Sequence, residues 1–206
     1  MSEQQRSATA VHESVSAAVA SSWTSWHVDG KWVLGKVLET VREMLRDRGC
    51  EDVHGAVTVD DVEEMSANCE PVLVGGPSPL VVVYMSADDK TPVRRVRSVV
   101  EQHGDAHCIV MFSVDGMTPF AKKEVTDRCP LQGLQYRHYV RNITKHVSVP
   151  THKKVTCPAG TDMSVYPSLL VRDPVSQYYD FRAGDLVEHV RIVGMTDPVP
   201  FRRYVT

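Results

Sequence analysis

The sequence predicts an α/β protein, α+β overall, built from two small domains, and three patterns carry that prediction. Between Leu80 and Val140, apolar runs of strand length alternate with amphipathic helical stretches, the order expected of a small sheet flanked by helices. Near Asn142 the character of the chain changes, and the part beyond it is mildly basic. From Asp173 to Ile192 a helix start, a glycine turn and a strand succeed one another, which describes a second α/β module. The boundaries drawn from these patterns are a tail over 1–28, a first domain over 29–141 and a second over 142–206.

Each element follows from local chemistry. The tail is rich in Ser and Ala with a weak helical pattern, so it is expected to be mobile or partly helical. After Asp29-Gly30, Val33, Leu34, Val37, Leu38, Val41, Met44 and Leu45 recur at spacings of three and four, an amphipathic helix that Gly49 ends. Thr58 or Asp60 caps a short helix through Met65, and Gly75-Gly76-Pro77-Ser78-Pro79 reads as a loop. Leu80 to Met85 is a continuous apolar run, hence a buried strand. Thr91 caps and Pro92 opens a helix bearing Val93, Val96, Val99 and Val100, which Gly104 stops. Cys108 to Phe112 is the next buried strand, Asp115-Gly116 a turn, Thr118-Pro119 a helix start, and Leu134 to Val140 a further strand. In the second domain Asp173 accepts from first-turn amides, and Pro174 has no amide to leave unpaired there. Val175, Tyr178 and Tyr179 ride on that helix, Gly184 supplies the turn, and Leu186, Val190 and Ile192 are the apolar positions of the strand.

Composition excludes several classes. The 206 residues are 42% apolar, enough for buried cores, and carry a net charge of −3, which argues against a protein that coats nucleic acid by itself. Residues 142–206 hold eight Lys and Arg against six acids, so the net negative charge lies in residues 1–141. The five cysteines are widely spaced with no C-x-x-C pair, the pattern of reduced thiols in a cytosolic or nuclear protein. No apolar run approaches the roughly 20 residues that span a bilayer, so a soluble intracellular protein is expected.

Three motifs carry a family resemblance. They are Trp32 with Thr40-Val41-Arg42-Glu43-Met44 and Asp47-Arg48-Gly49; Asn142-Ile143-Thr144-Lys145-His146 with Val149-Pro150 and His152; and Asp173-Pro174-Val175 with Tyr178, Gly184 and the strand beyond it. In this order they resemble the fifth shared subunit of eukaryotic nuclear RNA polymerases, whose C-terminal domain is related to a small subunit of the archaeal polymerase. The resemblance implies a small three-layer α/β first domain, nuclease-like in fold and part of the lower jaw, and a C-terminal domain that docks on the largest subunit. It implies that Thr118, Pro119, Lys122 and Lys123 lie near downstream duplex DNA. It implies that His146, Pro150, His152, Asp173, Pro174, Tyr178, Gly184, Val187, Arg191, Arg203 and Tyr204 face other polymerase subunits. No cofactor, membrane or small-molecule substrate is implied, and the place of work is the nucleus.

The residues also admit catalytic readings. A metal-dependent nuclease needs a carboxylate on one strand and a Glu/Asp-x-Lys on the next to bind Mg²⁺ and activate water. The run Leu80 to Tyr84 carries no acid, and Asp88-Asp89-Lys90 sits before a helix start, where acids are favoured by the helix dipole. His103, His107 and Cys108 lack a second pair to complete a tetrahedral metal site, with Gly104 between them. A non-catalytic subunit is therefore expected, with a metal-dependent nuclease and a free-standing DNA-binding regulator as the alternatives. Lys122 and Lys123 behind a helix N-terminus suit phosphate contact without base readout.

The chain also departs from the family pattern. Thr151 stands where the family has Lys, Asp180 where it has Gly, and Cys157–Met163 is shorter than the family's helical insert. Gly194–Pro200 replaces the family's usual hairpin, with Arg203-Tyr204 filling the Arg-Tyr role. Departures gathered around a retained helix-turn-strand suggest altered partner contact. A paralogue specific to RNA polymerase I, hence nucleolar, is expected; the alternative is a shared subunit of a divergent lineage.

Overall fold

Residues 30–76, 79–86, 88–124, 131–157, 160–191 and 199–206 are described by the computed structural model. The expected tail over 1–28, Pro77-Ser78, Pro158-Ala159, Ile192 and the Gly194–Pro198 part of the departing hairpin lie outside the described residues. The chain divides into two compact units, one ending at Arg141 and one of Asn142–Thr206. Together they hold mixed helices and two mixed sheets, an α+β protein.

The described part of the first unit opens on α1 (Gly30–Asp47), whose predicted apolar face is buried as expected, joined by Thr40. At its end the Gly49 and Cys50 amides donate to the Arg46 and Leu45 carbonyls, closing the last turn with Gly49 at a φ of 90°. A short strand, β1 (Asp52–Gly55), follows; three of its four residues are exposed, so it carries no apolar alternation that the sequence could announce. Thr58, one of the two expected caps, opens α2 (Val59–Ala67): the Asp61 amide donates to Thr58 Oγ1 while Asp61 Oδ2 accepts from the Thr58 amide.

Two expectations fail next, each through a tertiary contact. Gly75 and Gly76 were expected in a loop, yet they close the strand β2 (Leu73–Gly76). A Cβ at Gly75 would stand 2.8 Å from Cys50 Sγ, so glycine is there to admit the cysteine rather than to turn the chain. Thr91 does not cap α3 (Val93–Gln102), whose N-cap is Pro92 with no side-chain cap bond. Thr91 instead forms a buried parallel bridge with Met117, its amide donating to Gly116 O at 2.8 Å and its carbonyl accepting from Thr118 N at 3.1 Å.

The first sheet runs in the order β1-β2-β3-β4-β5, antiparallel through β3 (Val81–Met85) and parallel from there through β4 (Cys108–Ser113) and β5 (Leu131–Gln135). Every residue of β3 and β4 is buried, as their continuous apolar sequences predicted. On one face Val82, Tyr84, Ile109, Met111 and Leu131 pack with Val96 and Val99 of α3 and Ala121 of α4 (Pro119–Glu124). Strand alternation turns Val81, Val83 and Met85 to the other face, where Ser66 Oγ of α2 donates to Met85 O. These are the three layers. The last strand was expected over Leu134 to Val140, but the chain leaves the sheet at Tyr136 in a single helical turn, Tyr136–His138. Its phenol is the reason: Tyr136 Oη accepts from the Ser86 amide at 2.8 Å and donates to Ser86 O at 2.9 Å, fully buried beneath the end of β3.

The second unit has the sheet order β6-β8-β9-β7, from β6 (His152–Val155), β7 (Ser168–Leu169), β8 (Leu186–Arg191) and β9 (Val199–Val205). Only the β7–β9 pair is parallel. The predicted helix start holds: Asp173 Oδ1 accepts from Val175 N at 2.9 Å and Pro174 opens α5 (Pro174–Tyr179), a cap worth about 1 kcal/mol. Asp180 ends α5 in the left-handed region, a conformation Asp tolerates better than most residues. Gly184 makes the turn into β8 with φ of 99°, as its sequence position required. The core is Leu169, Phe181, Val187 and Val205, with Tyr179 against it. Along β8 the apolar expectation was misplaced: Val190 is 47% exposed, whereas Leu186, Val187 and His189 are buried. Val187 and His189 share one face by the strand period, and an imidazole occupies the place where an aliphatic side chain was sought.

Candidate functional site

The two units present separate candidate surfaces. On the first, Thr118 Oγ1 accepts from Ala121 N at 3.2 Å, so its side chain is spent on starting α4. Pro119, Lys122 and Lys123 point to solvent beside Phe120, which is 71% exposed. Glu124, the acid of α4, is taken by Arg97 of α3 in a two-pronged pair at 2.8 and 3.0 Å. The two lysines form no ion pair with a described residue, and their charge stays available to an anion.

The acids and histidines weighed for nuclease or metal chemistry are placed as follows among the described residues of the same unit. Asp88 Oδ2 accepts from Ser86 Oγ at 2.8 Å and lies 3.7 Å from Arg95 Nη1, so a guanidinium faces it where a nuclease would hold Mg²⁺. Neither β3 nor β4 carries an acid. His103 packs on Tyr84 with ring centroids 6.0 Å apart, while Cys108 is buried and His107 exposed. Among the described residues no group of three His, Cys, Asp or Glu side chains is placed to hold a metal ion, and no helix is long and apolar enough to cross a membrane.

The second unit both gathers and scatters the residues expected to face partners. Val187 is 0% and Tyr178 1% exposed, so neither side chain lies open on the unit, and Tyr178 Oη accepts from Asn142 Nδ2 at 2.9 Å. Asp173 and Pro174 are committed to the α5 cap, and Gly184 contributes its turn. His146 is exposed with Nδ1 accepting from Ser148 N at 3.2 Å, and Pro150 is half-buried. Tyr204 pairs with Leu186 and so faces the opposite side of the sheet from Arg203.

His152, Arg191 and Arg203 are brought to one face. The register sets His152 opposite His189, and His189 opposite Phe201. Their rings form a continuous stack, with centroids 5.1 and 5.9 Å apart. Arg191 and Arg203 lie two residues along from His189 and Phe201, on the same side. Burial, then the neighbouring His152, Arg191 and Arg203, press the His189 imidazole down to about 4. His152 is also lowered, chiefly by burial, against the opposing pull of the Pro150 carbonyl and Asp173. The Nδ1 atoms of both histidines are buried with no partner among the described residues. Sequence reasoning missed His189 and Phe201. The signal available was the alternation Val187-x-His189-x-Arg191, an imidazole at a core-facing strand position.

No protein-family model matches the chain. A Caenorhabditis briggsae protein named DNA-directed RNA polymerases I, II, and III subunit RPABC1 is 25% identical over 171 residues, which cover 77% of each chain. Its Caenorhabditis elegans namesake is 25% identical over 128 residues, 56% of this chain and 61% of that one. The chain is thus distantly similar to proteins named as a subunit of DNA-directed RNA polymerases.

Proposed function

We propose that this chain is a non-catalytic subunit of a nuclear DNA-directed RNA polymerase. Its first unit forms part of the lower jaw beside downstream DNA, and its second docks on the largest subunit. The observation that carries the reading is the similarity to a shared polymerase subunit along most of both chains. The placement of Asp88 against Arg95, with β3 and β4 free of acids, supports a structural role over hydrolysis. The test is sedimentation of a native extract. This 23.0 kDa chain should travel with DNA-dependent RNA polymerase activity in fractions far heavier than itself, and recovery only at its own size would refute the assignment.

The exposed Lys122 and Lys123 support phosphate contact by charge alone. Replacing both with Gln should flatten the salt dependence of polymerase–DNA complex stability by about one unit of slope for each lost contact, measured between low and physiological salt. An unchanged slope would remove them from the DNA-facing surface. A second reading refines the first: the departures at 157–163 and 194–200 favour a paralogue specific to RNA polymerase I, concentrated in the nucleolus. Equal recovery of the largest subunits of all three polymerases with the tagged chain would overturn it.

A further inference from the structure

We propose that the inner face of the second sheet, where Arg191 and Arg203 flank the His152–His189–Phe201 stack, is a docking site for an acidic protein segment whose carboxylate seats between the two guanidiniums. The inference rests on the reading that this unit docks on a polymerase subunit, and it names the chemistry of that contact. Neither arginine forms a hydrogen bond or ion pair with any described residue, whereas Lys154 on the same face is taken by Asp185 at 2.6 Å and Arg202 on the other by Glu188 at 2.9 Å. Among the described residues Lys154 and Arg202 are thus neutralised, whereas Arg191 and Arg203, on the face of the stack, are not. Beneath them lie two imidazoles with buried, unpartnered Nδ1 atoms, and at the side Phe201, 40% exposed, offers an apolar edge. Guanidinium forks suit carboxylates in two-pronged geometry, and an aromatic beside them suits the apolar stem of the same side chain.

The groups facing the imidazoles are Arg191 and Arg203 on the sheet and Asp173 at the start of α5. Burial first, and the unmatched arginines after it, hold His189 down to about 4 and His152 below its ordinary value. A seated carboxylate screens the guanidiniums and favours imidazolium, so binding takes up a proton and tightens as pH falls.

The experiment titrates tagged full-length chain with the purified largest polymerase subunit at pH 7.5 and 6.0. Arg191→Gln with Arg203→Gln is expected to weaken association about thirtyfold or more, the scale for removing one partner of a buried charge pair. The wild-type chain is expected to bind several-fold tighter at pH 6.0, and His189→Leu to lose that gain. Amide exchange in β8 and β9 establishes that each variant is folded, and the pH arm decides the matter should the double variant unfold. Wild-type affinity in a folded double Gln variant overturns the proposal, as does a pH response that His189→Leu keeps. Loss of DNA binding with subunit binding intact assigns the arginines to phosphate and overturns it too. Failure of the wild-type chain to bind any polymerase subunit sinks the underlying assignment instead.

Discussion

Replacing Phe112 with alanine is expected to destabilise the first unit by about 4 kcal/mol, at the upper end of single-residue effects. Phe112 is 0% exposed in a strand whose every residue is buried. Its ring meets Tyr136 in a stack at 5.7 Å and Tyr139 edge-on at 5.0 Å. Removing it empties a site walled by two rings, of which Tyr136 cannot collapse into it because its hydroxyl is anchored to both backbone groups of Ser86. The effect should spread to the segment after β5, since those same rings hold it under the sheet. Amide hydrogen exchange of β4 is the measurement, with protection expected to fall about a thousandfold. A loss of less than tenfold would show that the cavity closes and that the ring is no anchor.

Acid should loosen the second unit through His189. The folded-state value of about 4 lies below the ordinary 6.5, so above pH 6.5 the imidazole is neutral in both states and its contribution is constant. As pH falls from 6.5 towards 4, the unfolded chain takes up a proton that the folded chain refuses, and stability drops by up to about 3 kcal/mol. Below 4 both states are protonated and the loss levels off. His152, also lowered, acts in the same direction. Proton NMR of the histidine ring signals reads the titration directly, and His189→Leu should remove most of the slope from the unit's stability between pH 6.5 and 4. A His189 midpoint near 6.5 would mean the stack is open to water and the prediction wrong.

What the sequence disclosed was chemistry local to a few residues. Asp173, Pro174 and Gly184 each specify a backbone state through their own covalent structure, so the helix-turn-strand of the second unit could be read in order. The all-buried strands β3 and β4 announced themselves by unbroken apolar runs. The failures have a common cause in partners far along the chain. Gly75 sits in a strand because Cys50 presses against it, Thr91 forms a bridge because Met117 lies beside it, and the chain leaves β5 at Tyr136 because Ser86 receives its phenol. None of these partners is near in sequence. The candidate site divides in the same way. His152, Arg191 and Arg203 were named singly from a resemblance, but the stack that unites them depends on the register of β6, β8 and β9, and His189 could not be recognised before that register was known.

The assignment to an RNA polymerase is tested most directly by purifying the tagged full-length chain from its native source under gentle salt and identifying what comes with it by quantitative mass spectrometry. The account predicts the largest catalytic subunit of a DNA-directed RNA polymerase in amounts matching the bait, together with the rest of that enzyme. A chain recovered folded, in good yield and without any catalytic polymerase subunit would contradict it.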